Sequence, residues 1–247
     1  MRQGCSQKPR NEYSTGGESG MTHSPYALVE IERAVSRERR KRYLAATGND
    51  LACAVALYEH NVALSEAVFG LLHILEVAIR NGMHQALSAH YGTPRWFQSA
   101  TVPLTLYGQD KVAAAVREAG GLSASPGKVV AELTFGFWSN LAARCYHWTL
   151  WQPCLHRAFP AARLSRPIVH ARLESIRTLR NRIAHHEPVL TSRRALNAGS
   201  GVFLPLTDLL ECAEWLGPEL ALWLQARYRY AEAADVLGQI AASRIAL

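Results

Sequence analysis

The sequence predicts an all-α fold, and three observations predict it. Apolar residues recur at i, i+3, i+4 and i+7 through most of the chain. No alternating apolar and polar run of strand type occurs at any length. The periodic stretches are separated by short breaks, Gly48-Asn49-Asp50, Gly92-Thr93-Pro94, Gly120-Gly121 and Ser125-Pro126-Gly127, of the kind that punctuate helices. A chain of 247 residues that is 49% hydrophobic has enough apolar mass for a real core. The expected division is a polar extension over 1–24, disordered by composition, followed by one helical domain over 25–247. Met21 stands just before that domain as a second candidate start.

Each element has its own reason. Residues 26–46 form a first helix with Leu28, Ile31 and Val35 on its apolar side. Its run Arg37, Arg39, Arg40, Lys41, Arg42 is either a solvated face or an RNA contact. Asn49 or Asp50 is placed to cap the next helix. Residues 50–91 read as one helical stretch with a broad apolar face of Leu64, Val68, Leu71, Leu72, Leu75 and Ile79. A single helix of that length exceeds about 60 Å, so a bend is expected, at Asn61 or Gly70. Residues 106–120 form a helix that stops at the glycine pair. Residues 129–159 are rich in aromatic rings, Phe135, Phe137, Trp138, Tyr146, Trp148 and Trp151, read mainly as core, with Gly136 permitting close helix approach. Residues 165–186 form a helix that carries the chain's Arg-rich, His-containing stretch, with Pro167 in its first turn. A polar loop over 187–204 follows. Two helices, 206–226 and 228–243, close the chain, with Trp215, Leu216, Leu220 and Trp223 as their spine.

Composition narrows the function. No 18-residue apolar run is present, so no membrane span is expected, and the first residues lack the apolar core of a signal peptide. The five cysteines, Cys5, Cys53, Cys145, Cys154 and Cys212, form no Cys-x-x-Cys pair. They read as reduced thiols of a cytoplasmic protein, neither a disulfide frame nor a zinc site. Net charge is +7, with arginine far ahead of lysine. That balance fits a polyanionic partner, or simply an arginine-rich codon usage.

The most informative stretch is Ser175-Ile-Arg-Thr-Leu-Arg-Asn-Arg-Ile-Ala-His-His-Glu-Pro188. Ile176, Leu179 and Ile183 make one helical stripe, and Pro188 predicts that the helix stops near His186 or Glu187. Imidazole and guanidinium together suit phosphate chemistry, one moving a proton and the other binding oxygen pairs. Arg180 and His185 are five residues apart and diverge by roughly 140° on an ideal helix, so they share a site only if the last turn loosens. A pair at that spacing occurs about once by chance in a chain so rich in both residues, and a basic helix end also serves as plain capping. Glu76 and Arg80, at i and i+4, are spaced for an ion pair. His185, His186 and Glu187 are adjacent, which makes a shared metal ion unfavourable, and no carboxylate cluster for two Mg²⁺ ions is visible.

Three stretches together carry a family resemblance. Leu179-Arg-Asn-Arg-Ile-Ala-His-His-Glu-Pro-Val189 resembles the Arg-Asn-x3-His signature of the HEPN superfamily in its Abi-like, abortive-infection branch. Leu75-Glu-Val-Ala-Ile-Arg-Asn81 and Glu132-Leu-Thr-Phe-Gly-Phe-Trp138 resemble two further stretches of that branch. The resemblance spans roughly residues 25 to 190. It implies a HEPN-like helical bundle, here with additional C-terminal helices, that dimerises so that two motifs meet in one cleft. It implies metal-independent cleavage of RNA in phage defence or a toxin system, with no cofactor. His185 would act as general base or acid, Arg180 would hold the scissile phosphate, and Asn181 would fix the helix end. Glu76, Arg80, Asn81, His186 and Glu187 would support them, and Arg177 and Arg182 would add RNA contacts to a strongly positive cleft. The alternative is a dimer that binds RNA or nucleotide without cutting. A related branch is controlled by modification of a tyrosine just after the histidine; none stands there in this chain, and an antitoxin partner is left open.

Overall fold

The structure, a computed structural model, describes residues 24–161, 165–189 and 206–227, together with Asp235. The described residues are overwhelmingly helical and contain no strand. The fold is all-α.

The first expected helix is two. α1 (Pro25–Ala34) and α2 (Arg37–Ala46) are separated at Ser36, whose hydroxyl accepts a hydrogen bond from Arg39 N. Serine at that place caps an exposed donor of the new helix. The Arg40 guanidinium donates to Val35 O at 2.8 Å and pairs with Glu32 at 2.6 Å, which holds the kink. α3 (Leu51–Tyr91) starts where Asp50 accepts a hydrogen bond from Cys53 N, and ends at Gly92 in the left-handed conformation. It passes through Asn61 and Gly70 without interruption, so neither position breaks it. An apolar face with neighbours on both sides outweighs one glycine's propensity of about 1 kcal/mol.

That face is the centre of the core. Leu64, Val68, Leu71, Leu72, Leu75 and Ile79 are all 1% exposed or less, and burial of each such side chain contributes about 1.5–3 kcal/mol. α3 holds no unbroken 18-residue apolar run, yet it is apolar and long enough to cross a bilayer by length and composition. Here its apolar stripe is covered by the chain's own helices.

The turn after Gly92 delivers Trp96 and Phe97 into the core. α4 (Leu106–Glu118) ends before Gly120 and Gly121, both at positive φ. Ser125-Pro126-Gly127 is a helix start, with Ser125 at the N-cap position of α5 (Pro126–Glu132) and proline in its first turn. α6 (Phe135–Asn140) packs Phe137 and Trp138 against Trp96, and Trp96 Nε1 donates to His84 Nδ1 at 2.9 Å. Of the six rings read as core, five are buried and Trp148 is 78% exposed. Gly136 is not required by close approach, since an added Cβ would meet Arg177 Cδ at an ordinary 3.6 Å.

α7 (Arg166–Ala184) crosses α3 and α6 and buries Val169, Leu173, Ile176 and Leu179. The stretch read as one helix over 206–226 breaks at Gly217 into α8 (Leu206–Leu216) and α9 (Pro218–Arg227). Proline begins a helix far more readily than it continues one. Trp215 is buried, whereas Trp223 is 44% exposed. The expected extension 1–24 (apart from Ser24), most of the 187–204 loop and the last helix, 228–243, lie outside the described residues, Asp235 excepted.

Candidate active site

The end of α7 is built as a tight cap. His186 N donates to Ile183 O at 3.0 Å, and Glu187 N donates to Arg182 O at 2.8 Å. These two bonds, from the second and third residues after Ala184, form a Schellman motif. Its left-handed position is usually glycine. Here it is His186, at φ 55, and a β-carbon in that conformation costs about 1–2 kcal/mol. The surroundings hold the strain in place. Arg39 Nη1 donates to His186 O at 3.2 Å, Arg182 Nη1 donates to Pro188 O at 3.1 Å, and Val189 N donates to the buried Asn61 Oδ1 at 2.8 Å. The sequence placed the helix end correctly near His186, and Asn61 proves to be the anchor of this turn.

The cap forms one wall of a groove of about 780 Å³. α3 forms the other wall, over Tyr58 to Arg80, roughly 33 Å of helix. Glu76 lies at the junction. Its carboxylate is 3.5 Å from Arg80 Nη2 on its own helix and 3.4 Å from Arg180 Nε on α7. Glu76 and Arg80 side chains are only 15% and 17% exposed, while Arg180 is 42% exposed. Arg80 Nη1 also donates to Ala131 O at 3.4 Å, and its buried Nε makes no hydrogen bond. One carboxylate therefore holds two guanidinium groups from two helices on the wall of the groove.

Of the residues selected from sequence, Glu76, Arg80, Arg180, His186 and Glu187 come together along this groove. The others do not line it. His185 is exposed at the C-cap of α7. Asn181 is half-buried and its Oδ1 accepts from Arg180 Nη1 at 3.4 Å. Asn81 is exposed on α3. Arg182 is turned to Pro188 O. Arg177 is bound to Glu174 at 2.6 Å, beside α6. Burial alone would raise the Glu174 carboxyl, but hydrogen bonds from Arg177 and Ser139 outweigh it and hold it below its ordinary range. Only one of the three arginines expected to make the cleft positive thus reaches it. The lining carries three arginines, Arg39, Arg80 and Arg180, against Glu66, Glu76 and Glu187. Within one chain the groove is charge-balanced, with cations and carboxylates interleaved.

Sequence reasoning missed the rest of the α3 wall. Tyr58, Ser65, Phe69 and His73 line the groove beside Glu76 and Arg80. Their spacing, with steps of three, four or seven, was a readable signal: a polar and aromatic stripe flanking the apolar one. Phe69 is 50% exposed, as Val62 is at 45%. Arg39, one of the basic run, is a groove residue, whereas Arg40 is spent on the α1–α2 kink. Among the described residues no three His, Cys, Asp or Glu side chains gather as a metal site. Leu179 and the apolar stripe from Leu64 to Ile79 are buried within the single chain, whereas Ile183 is partly buried and lines the groove.

No family model, no curated protein and no solved structure matches the chain.

Proposed function

We propose that the groove binds single-stranded RNA and cleaves it without a metal ion, in the manner of the HEPN nucleases that its motif resembles, as part of a phage-defence or toxin system. One observation carries the reading. Arg80 and Arg180, held by Glu76, present guanidinium groups from two helices on the same groove as imidazole and aromatic side chains.

Each part has a chemical use. Arg180 is the more exposed of the pair and offers its remaining donors to a phosphodiester, where charge builds as the bond breaks. Glu76 and Arg80 fix its direction. Tyr58 and Phe69 supply ring faces on which unpaired bases stack without regard to sequence. Within the motif, Asn181 steadies Arg180, and His185 is the residue that the resemblance offers for proton transfer. His185 is not among the residues that line its own groove, so it would serve a groove only if a second copy presents it. The homodimer is therefore part of this proposal, with the exposed Val62 and Phe69 available at the rim.

A second reading is a module that binds RNA or nucleotide without cutting. The balanced charge of the groove and the absence of His185 from its lining favour it. The test is incubation of the full chain with RNA in EDTA. Cleavage that is lost in Arg180→Ala supports the nuclease; binding without cleavage, indifferent to His185→Ala, supports the module.

A further inference from the structure

We infer that His186 and His73, not His185, are the imidazoles that this chain presents to a phosphodiester in its own groove. The substrate class rests on the nuclease reading above; the choice of residues rests on geometry that is independent of it.

His186 occupies the left-handed position of the helix cap, where glycine is the strain-free residue. Strain of this kind persists where the surroundings over-determine it, and it gathers at functional positions. Here the turn is pinned on both sides, by Arg39 on the His186 carbonyl and by Asn61 on Val189 N. His186, at the left-handed position of the turn, is among the residues that line the groove, while His185, one step earlier, is not. On the α3 wall, His73 precedes Glu76 by three residues and Arg80 by seven, so the three share one helix face, and all of them line the groove. The two walls thus each contribute one histidine to the groove that the Glu76-linked arginines line.

That pair fits cleavage by the ribose 2′-OH. One imidazole takes the 2′-OH proton as O2′ bonds to phosphorus. The other gives a proton to O5′ as the P–O5′ bond breaks. The products are a 2′,3′-cyclic phosphate and a 5′-OH, and the proton count closes with no water or other co-reactant consumed.

The experiment uses the full chain with His186→Gly, His186→Asn, His73→Gln and His185→Asn variants. Glycine removes the imidazole and relieves the turn, and asparagine tolerates the same conformation, so both His186 variants should melt at or above the wild-type temperature. Cleavage of an RNA oligonucleotide should fall by about 10²-fold or more in the His186 and His73 variants, and by less than about tenfold in His185→Asn. Folded His186 variants or His73→Gln that cleave within about threefold of wild type overturn the assignment. The second readout needs no catalysis. Imidazole ¹⁵N resonances of His73 and His186 should shift when an all-deoxy oligonucleotide of the same sequence is added, and those of His185 should not. Failure of the wild type to cut any RNA sinks the nuclease reading; the resonances then decide this inference, which stands if both shift and falls if either is unmoved.

Discussion

Replacing Glu76 with alanine separates the structural from the functional content of the site. The variant leaves Arg80, 17% exposed, with the Ala131 carbonyl at 3.4 Å as its hydrogen-bond partner among the described residues. Breaking a fully buried pair costs about 3–5 kcal/mol, and an exposed one about 0–1. The Glu76 contacts, at 3.4 and 3.5 Å, are longer than the ideal charge-assisted bond, and the groove admits water. The expected loss is therefore about 2 kcal/mol, a fall in Tm of about 4–8 °C for a chain of this size. Arg180→Ala is different. Its side chain is 42% exposed, so stability should change by less than about 1 kcal/mol while cleavage is lost. The double variant Glu76→Ala/Arg80→Ala leaves no orphan charge and should recover part of the stability, with a coupling of about 1 kcal/mol or more. Thermal unfolding with a urea titration of the wild type, these three variants and the single Arg80→Ala variant measures all of this. A Glu76→Ala Tm within about 1 °C of wild type, with coupling under about 0.3 kcal/mol, would refute the view that this carboxylate organises the two arginines.

Other consequences are open to direct measurement. Light scattering at micromolar concentration should give about twice the 27.3 kDa chain mass; a monomer removes the route by which His185 could reach a groove. Asn61→Ala strips the buried acceptor of Val189 N and should destabilise by about 1–3 kcal/mol, with chymotrypsin cutting faster near the α7 end; an unchanged Tm would show that the turn is not anchored there. Burial holds the His84 pKa below its ordinary value, and His84 Nδ1 accepts from Trp96. The folded chain thus takes up the His84 proton less readily than the unfolded chain. The stability tied to neutral His84 is present above about pH 6.5 and is lost as pH falls through its depressed folded pKa. His84→Gln should flatten the fall of Tm between neutral and acidic pH, and an identical slope in both proteins would exclude His84 as its source.

How much was legible differs by element. The apolar stripe from Leu64 to Ile79 and the motif helix were readable because burial of one face imposes a period that local chemistry cannot hide. The ion pair of Glu76 with Arg80 was readable from spacing, but its extension to Arg180 was not, since the contact joins residues about a hundred positions apart. The kink at Ser36 and the break at Gly217 were missed because a continuous apolar pattern was followed across a capping serine and a Gly-Pro pair. Asn61 looked like a helix breaker when read along α3 alone. Its role appears only once α7 delivers Val189 N to it. Spacing alone did not separate His185 from His186, since on a regular helix they diverge from Arg180 by roughly 140° and 120°. Placing His186 in the groove required the left-handed cap, which no residue in the motif announces, since glycine is the usual sign of one.

The central claim is that these groups act on a phosphodiester through the ribose 2′-OH. An oligonucleotide with one ribonucleotide in a deoxy background, incubated with the full chain in EDTA and analysed by mass spectrometry, tests it most directly. The account predicts a single cut 3′ to the ribonucleotide, leaving a 2′,3′-cyclic phosphate and a 5′-OH, and none with Arg180→Ala. An intact oligonucleotide, or products ending in 5′-phosphate and 3′-OH, would contradict it.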